Sequence, residues 1–151
     1  MSKTPGMNAG VRKFSIDAPA GWQKLDTSIS GVKFTFLLAP TASNGFRANI
    51  NVISQSMEGS SAESYFAKNF NSMGQYVQDF SAGPKGEKDI NGLPARWMQY
   101  SQTQNGHVLD GVSYLIPKDG IAYVITFAAA KGQMSKYQAS LDEALRSFRV
   151  Y

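Results

Sequence analysis

The stretch PARWMQYSQTQNGHVLDGVSYLIPKDGIAYVITFAAA, residues 94–130, decides the fold of this chain. It contains three runs rich in β-branched and aromatic residues, which span 96–103, 108–117 and 121–130. Asn105-Gly106 separates the first two runs, and Asp119-Gly120 separates the last two. Both dipeptides suit the type I′ turn of a two-residue hairpin, which needs positive φ at its two central positions. The pattern therefore predicts a three-stranded antiparallel meander in the middle of a sheet.

The last of these runs is apolar on both faces apart from Thr126. A strand that is buried on both sides needs one layer above the sheet and another below it. Two segments with apolar residues at three- and four-residue steps predict helices that can supply these layers, at 60–81 and 131–148. Ser60 and Glu63 have the spacing of a capping box at the start of the first helix.

Strands before the first helix are predicted where apolar and polar residues alternate. They span residues 11–18, 32–39 and 47–55. The predicted inner faces carry Phe34, Phe36 and Leu38 in the second strand, and Ala48, Ile50 and Val52 in the third. The polar segment 24–31 is predicted to be a loop.

A short charged edge strand at 82–90 completes the element order β-β-β-α-β-β-β-β-α. We therefore predict an α+β fold, an α/β/α sandwich whose mostly antiparallel sheet of about seven strands is flanked by two helices. Residues 11–151 have the size of one ordinary domain. The polar residues 1–10 are expected to be a disordered leader, either native or an expression leader in place of a removed signal peptide.

Composition excludes several classes of function. The net charge of +4 comes from 15 basic and 11 acidic residues that are spread along the chain, so no nucleic-acid partner is expected. The absence of cysteine removes disulfides, thiolate nucleophiles and Cys-ligated metals. No apolar run reaches the 18 or so residues of a membrane span, so no integral membrane segment is expected.

Candidate catalytic chemistry is sparse. The single histidine, His107, follows Asn105-Gly106 at a predicted hairpin tip, where a catalytic base would be poorly held. A zinc site needs three or four ligands, so His107 would have to recruit distant carboxylates. There is no Gly-x-Ser-x-Gly elbow and no glycine-rich phosphate loop. We expect no catalytic, cofactor-binding or metal-binding residue, and no cofactor; a triad with distant members stays open.

Four residues are candidates for contact with a partner. Trp22 follows a Pro-Ala-Gly turn, where it either folds back over the preceding strand or forms an exposed aromatic platform. Tyr65 begins an aromatic stripe in the first predicted helix, which either packs on the sheet or leaves an open aromatic groove. Asn105 and His107 lie at the predicted hairpin tip.

The order of several segments resembles that in PsbP-like and DcrB-like proteins. These segments are FSIDAPAGW at 14–22, FRANINV at 46–52, NGLPA at 91–95, YVIT at 123–126 and SFRVY at 147–151. The resemblance implies the α/β/α sandwich shared by PsbP and the Ran-binding Mog protein, together with a non-enzymatic role. The PsbP-like and DcrB-like proteins include photosystem II subunits, bacterial envelope lipoproteins and chaperones of secreted effectors. The resemblance therefore implies no particular site residue.

Three functions are compatible with these observations. The leading hypothesis is a non-enzymatic binding or accessory module of the bacterial cell envelope, periplasmic, with a protein partner and a lipid anchor in its precursor. The alternative is a cytoplasmic chaperone or adaptor for a secreted effector, which requires an apolar concave sheet face. A small hydrolase or metal-dependent enzyme is the third, and it requires His107 to lie in a pocket with acidic partners. The sequence does not determine the oligomeric state.

Overall fold

A seven-stranded antiparallel sheet forms the centre of the fold, with a helix on each face. The computed structural model describes residues 14–29, 32–42, 45–76 and 78–151, with side chains given for all of these except 29, 32 and 70–76. Its strands are β1 Phe14–Ser15, β2 Gln23–Ile29, β3 Val32–Leu38, β4 Asn49–Ser56, β5 Ser81–Ile90, β6 Leu93–Gln104, β7 His107–Lys118, β8 Ile121–Ala130 and β9 Arg149–Val150. Its helices are α1 Ala62–Tyr76 and α2 Gln138–Ser147, the second directly preceded by a 3₁₀ turn at Met134–Tyr137.

The strand order in the sheet is β2-β3-β4-β8-β7-β6-β5, with every neighbouring pair antiparallel. The predicted meander is confirmed as β6-β7-β8. Both hairpin turns have the expected positive φ, at 50° and 81° for Asn105 and Gly106 and at 51° and 80° for Asp119 and Gly120. β8 is the central strand, which sets three strands on either side of it.

Both faces of β8 are covered, as predicted. Every residue of β8 is buried except Thr126, which is half-buried. The hydroxyl of Thr126 lies 2.8 Å from the hydroxyl of Ser113, its cross-strand partner in β7. The one polar residue of the central strand therefore has a hydrogen-bonding partner, which its partial burial requires.

The larger hydrophobic core lies on the side that we call the α2 face. The ring of Phe148, which follows α2, lies 5.9 Å from Phe14 of β1 and 6.0 Å from Tyr123 of β8, measured between centroids. Other fully buried members are Ile16, Leu37, Ile50, Ile116, Ile125, Phe127 and Leu141. Aromatic rings from both ends of the described chain thus close over the central strand.

A smaller cluster lies on the opposite side, the α1 face. Leu115, Ala122 and Val124 are buried there. Ile53, Met57, Tyr65 and Phe66 pack against them. This places the first turns of α1 over β8 and its two neighbours, and gives the sheet its second layer.

The predicted first strand and the predicted loop that follows are both corrected by the structure. Within the predicted strand 11–18, only β1 is extended, and it pairs with β9 in a separate two-stranded sheet; residues 11–13 lie outside the described residues. The seventh strand of the main sheet is instead β2, inside the segment predicted as a loop. All its side chains from Gln23 to Ser28 are exposed, so this edge strand lacks the apolar alternation by which a strand is predicted.

The predicted inner face of β3 is wrong by one residue. The register places Leu37 opposite Ile50, so Leu37 belongs to the α2 face and is fully buried. Phe34, Phe36 and Leu38 point to the α1 face and are half-buried. Successive strand residues alternate between faces, so a one-residue error exchanges the whole set. The prediction for Ala48, Ile50 and Val52 is confirmed, since all three are buried.

Helix boundaries also differ from the predictions. α1 begins one residue after Ser61, whose hydroxyl oxygen accepts a 3.0 Å bond from the amide of Ser64, so Ser61 and not Ser60 is the N-cap. The segment 131–148, predicted as one helix, contains a 3₁₀ turn before α2. The edge strand β5 is confirmed, with ten residues. The leader predicted at residues 1–10 lies outside the described residues.

Candidate functional site

Three of the four candidate residues lie at one end of the sheet. β2, β4 and β7 begin at this end, and β3 and β8 finish there, because neighbouring strands are antiparallel. The loops at these strand ends bring together residues that are far apart in sequence. We call this surface the Trp22 rim and define it as Trp22, Phe46, Arg47, Asn105, His107, Lys131, Lys136 and Tyr137.

An aromatic pair forms one side of the Trp22 rim. The rings of Trp22 and Tyr137 meet edge to face, with centroids 5.9 Å apart and an interplanar angle of 88°. Lys136 places its ammonium 5.5 Å from the centroid of Tyr137. Trp22 is half-buried and packs at the margin of the α2-face core, so it serves both as core and as accessible aromatic surface.

A turn positions Trp22. The amide of Trp22 donates a 2.9 Å bond to the carbonyl of Pro19, and Gly21 within this turn has a φ of +83°. Glycine adopts that backbone conformation without a steric penalty. The predicted Pro-Ala-Gly turn is therefore present, and it directs the indole onto the 3₁₀ turn that carries Tyr137.

Arg47 ties three strands together beside this pair. Its Nε donates a 2.6 Å bond to the carbonyl of Ala39, and its Nη2 lies 3.5 Å from Oε1 of Gln23. The residue is nevertheless exposed. The guanidinium is thus held in place at the surface, which lowers the entropy lost when it binds an anionic group.

His107 lies further along the Trp22 rim, against the loop between β3 and β4. Its ring centroid is 6.4 Å from that of Phe46. A Cβ at Gly45 would come within 3.0 Å of its Cε1, so the glycine permits the ring to approach the backbone. Asn105, in the same hairpin turn as predicted, is exposed with a φ of 50°. The structure thus places the lone histidine against a loop as a packing residue.

The Trp22 rim is basic. Arg47, Lys131 and Lys136 lie on it, and Asp110 is the neighbouring carboxylate in β7. The Oδ2 of Asp110 accepts a 2.9 Å bond from the amide of Gly132, so this carboxylate is used to hold the turn after β8. The arrangement can attract an anionic group to a surface that also offers aromatic contact.

Tyr65 is not part of the Trp22 rim. It lies on α1 near the last residues of β4, at the other end of the sheet, where its hydroxyl donates to Oε1 of Gln55. Burial raises the pKa of Tyr65, and the negative charge of Glu58 raises it further. Tyr65 packs on the cluster of the α1 face, which fits the packing alternative of the sequence interpretation.

Five members of the Trp22 rim were not among the candidates from the sequence: Phe46, Arg47, Lys131, Lys136 and Tyr137. Tyr137 is buried in the core of the α2 face, whereas Arg47, Lys131 and Lys136 are exposed and Phe46 is half-buried. A signal was present in the sequence, since Phe46 and Arg47 follow the turn residue Gly45 directly. Only the strand order brings that turn beside the one that contains Trp22.

The enzymatic alternative requires His107 to lie in a pocket with acidic partners. Three clefts open along β5, with volumes of about 210, 540 and 620 Å³, and His107 lines none of them. Within residues 14–29, 32–42, 45–76 and 78–151, no three His, Cys, Asp or Glu side chains are grouped as metal ligands. No helix in the same part of the chain has the length and apolar character needed to cross a membrane.

The chaperone alternative requires a contiguous exposed apolar face. Among the side chains that the structure describes, three large apolar ones are more than a third exposed: Leu25, Val108 and Tyr151. They belong to β2, to the start of β7 and to the residue after β9, so they do not form one patch. On the α1 face, however, the exposed Leu25 lies opposite the half-buried Phe36, and Phe34 and Leu38 are half-buried on the same face, so apolar side chains of β2 and β3 are partly exposed there.

Comparison with known proteins identifies the fold. No protein-family model and no curated protein matches the chain. LpqN of Mycobacterium tuberculosis, whose structure is described as involved in cell envelope biogenesis, is 11% identical and superposes with a TM-score of 0.70 over 93% of this chain and 84% of its own. The cyanobacterial PsbP of Synechocystis is 16% identical, with a TM-score of 0.59 over 100% of this chain and 99% of its own.

The Ran-binding protein Mog1p of Saccharomyces cerevisiae is 11% identical, with a TM-score of 0.59 over 91% of this chain and 89% of its own. These values confirm the PsbP- and Mog-like sandwich that the sequence resemblance implied. At such identities the likeness concerns the fold alone, because one architecture supports many functions.

Proposed function

We propose that this chain is a non-enzymatic binding module of the bacterial cell envelope, and that it docks a protein partner on the Trp22 rim. The observation that carries the proposal is the pairing of Trp22 and Tyr137 beside a held guanidinium, Arg47, at one end of the sheet. Truncation of Trp, Tyr or Arg typically costs more binding free energy at a protein interface than truncation of other residue types. The loops that carry them are supported by a rigid sheet, as binding loops usually are.

The chemistry of the Trp22 rim points to the kind of partner. Its three cations favour a segment with exposed carboxylates, and the half-buried Trp22, which packs on the buried Tyr137, favours an apolar or aromatic side chain within that segment. Because Arg47 is already held by Ala39, its ordering costs little on binding. We therefore propose an acidic protein segment with at least one large apolar residue as the partner.

The proposed envelope location rests on two lines of support. The chain has only 17% charged residues, and uncharged polar surfaces are commoner in exported proteins. The LpqN structure is described as that of a protein involved in cell envelope biogenesis. Fractionation of cells that express the full-length gene product tests this part: we expect it with the envelope, and recovery in the cytoplasmic fraction would contradict it.

Charge reversal on the Trp22 rim tests the docking proposal. Lys131→Glu combined with Lys136→Glu should abolish binding of the partner that the wild-type protein captures from cells of its source. Lys33→Glu combined with Lys68→Glu makes the same change in net charge at exposed positions away from the rim, and should retain that partner. Equal capture by both double variants would exclude the Trp22 rim as the docking surface.

A further inference from the structure

The two edges of the seven-stranded sheet differ in how well they are protected against pairing with another strand. β5 forms one edge and carries Pro84, and its register with β6 shifts between Ala82 and Lys85. Proline cannot donate to a ladder, and an irregular, lysine-bearing edge discourages edge-to-edge association. This edge is closed to strand addition.

β2 forms the other edge and, although it carries Lys24, it has no proline and no register shift. It pairs with β3 regularly along seven residues, from Gln23 opposite Leu38 to Ile29 opposite Val32. Its sequence, QKLDTSI, contains neither proline nor glycine. Its side chains from Gln23 to Ser28 are exposed, and Leu25 is 45% exposed. A long, regular edge of this kind is a template for another strand.

The side chains of β2 are complementary to a second copy of the same strand. Lys24 and Asp26 lie on the α2 face, where the Lys24 ammonium donates to the carbonyl of Ile16 at 3.1 Å and Asp26 accepts from the hydroxyl of Thr35 at 2.7 Å. Leu25 lies between them on the opposite face, since it pairs with Phe36. Antiparallel pairing about Leu25 would set each Lys24 opposite the Asp26 of the other copy.

The register is determined by these charges. A two-fold axis at Leu25 gives two opposite-charge pairs and one leucine pair, all directly opposite across the strands. An axis at Lys24 or at Asp26 would instead place two like charges directly opposite each other, which is destabilising. Of these neighbouring registers, the one centred on Leu25 is therefore the favoured one.

We propose that two copies of this chain associate through β2 in antiparallel register about Leu25, which joins their sheets into one continuous sheet. Such an isologous contact closes on itself and stops at the dimer, because β5 is the remaining edge. A single strand pair buries little surface, so the dimer is reversible, with a dissociation constant on the order of micromolar. The antiparallel arrangement directs the two Trp22 rims to opposite ends, and the inference does not depend on what they bind.

Charge exchange tests the proposal on the isolated protein. By sedimentation equilibrium from about 1 to about 500 µM, we expect the wild type to dimerise reversibly. Asp26→Lys sets Lys24 against a lysine, and should raise the dissociation constant at least about tenfold. Lys24→Asp should do the same. The double variant Lys24→Asp with Asp26→Lys restores both pairs, and should return the constant to within about threefold of the wild type.

Restoration by the double variant separates pairing from misfolding, since a second substitution in a misfolded strand would not recover the dimer. Lys85→Asp on β5 changes an equally exposed charge on the closed edge and should leave dimerisation unaltered. A wild type that stays monomeric throughout this range overturns the proposal. So does a dimer that is insensitive to Asp26→Lys.

Discussion

At the scale of single residues, Asn91 has a larger part than its place in a turn indicates. Its φ is +53°, which asparagine tolerates better than most residues. The two N–H groups of its side-chain amide donate to the carbonyls of Leu145, Arg146 and Phe148 at 2.8–2.9 Å, with one N–H shared between two of the oxygens. These carbonyls belong to the last turn of α2 and the residue after it, where the amide of Phe148 also donates to Leu145 and the guanidinium of Arg149 to Arg146 and Phe148. Asn91 thus fixes α2 to the β5–β6 turn.

Substitution of Asn91 separates its backbone from its amide. Asn91→Gly keeps the positive φ and loses the three bonds, so we expect the free energy of unfolding to fall by about 1–3 kcal/mol. Asn91→Asp should be worse, because a carboxylate would face carbonyl oxygens at the negative end of the helix dipole. Urea denaturation followed by tryptophan fluorescence measures both.

Asn105→Gly is the matched control for this prediction. Asn105 has a φ of 50° in an equivalent turn, with an exposed side chain, so its replacement should change the free energy of unfolding by no more than about 0.5 kcal/mol. An Asn91→Asp variant as stable as the wild type would show that the three bonds contribute nothing.

At the scale of elements, two of the glycines in β5 and β7, Gly86 and Gly111, illustrate how neighbouring strands depend on each other. Gly111 of β7 pairs with Tyr100, and Gly86 of β5 pairs with Trp97. Both aromatic partners lie in β6, the strand between β5 and β7. A Cβ at Gly111 would lie 2.6 Å from Cζ of Tyr100, and one at Gly86 would lie 2.9 Å from Cζ2 of Trp97. Each aromatic ring of β6 therefore covers a strand at the point where it lacks a side chain.

The start of α1 gives a prediction with a built-in control. Because the hydroxyl of Ser61 accepts the amide of Ser64, Ser61→Ala should lower the free energy of unfolding by about 1 kcal/mol. Ser60→Ala, at the position that the sequence pattern favoured, should have almost no effect. Thermal or urea denaturation of the two variants decides between the two caps; a larger loss for Ser60→Ala would restore the capping box.

Element-scale comparison also shows what the sequence could predict. The meander was predictable because Asn-Gly and Asp-Gly specify their own turns, and β8 because apolar residues on both faces permit one placement. β2 was not predictable, because a strand at an edge is exposed and has the composition of a loop. The predicted inner face of β3 was wrong because alternation does not show which face is inner. Phe34 and Phe36 do alternate with polar residues, but Leu37 is the residue that pairs with the core residue Ile50.

At the scale of the whole molecule, the candidate site could be predicted only in part. Trp22, Asn105 and His107 were identified by local turn patterns, and local patterns do not show which turns share an end of the sheet. That information comes from the strand order. It makes β2, β4 and β7 begin at the same end of the sheet, although they are distant in sequence. The positions of Arg47 and Tyr137 beside Trp22 can be derived only from this strand order.

Two buried phenols make the stability of the whole protein sensitive to alkaline pH. Burial raises the pKa of Tyr100 to about 12, partly offset by its hydrogen bond with Ser113. Burial also raises the pKa of Tyr114 to about 12, with a smaller contribution from the charge of Asp142. An unfolded tyrosine ionises near pH 10, so the folded state favours the neutral phenols. Their contribution is complete below about pH 10 and is lost as the pH rises towards about 12.

The expected outcome is a steep fall in the free energy of unfolding between about pH 10 and about pH 12. Tyr100→Phe should reduce that fall by on the order of 2 kcal/mol, since phenylalanine has no proton to lose. Urea denaturation across this pH range is the measurement, and parallel profiles for Tyr100→Phe and the wild type would contradict the assignment.

The central place of β8 has a consequence for how the protein is made. β8 is the last of the seven main-sheet strands along the chain, yet it alone joins β2-β3-β4 to β5-β6-β7. During translation, therefore, two three-stranded ribbons emerge with no ladder between them, and each keeps a bare inner border at β4 or β7. Contacts between distant segments form slowly. The nascent polypeptide thus passes through a stage in which both borders lack a hydrogen-bonded neighbour until β8 has been synthesised. A chaperone that binds the nascent chain would protect these borders most effectively at that stage.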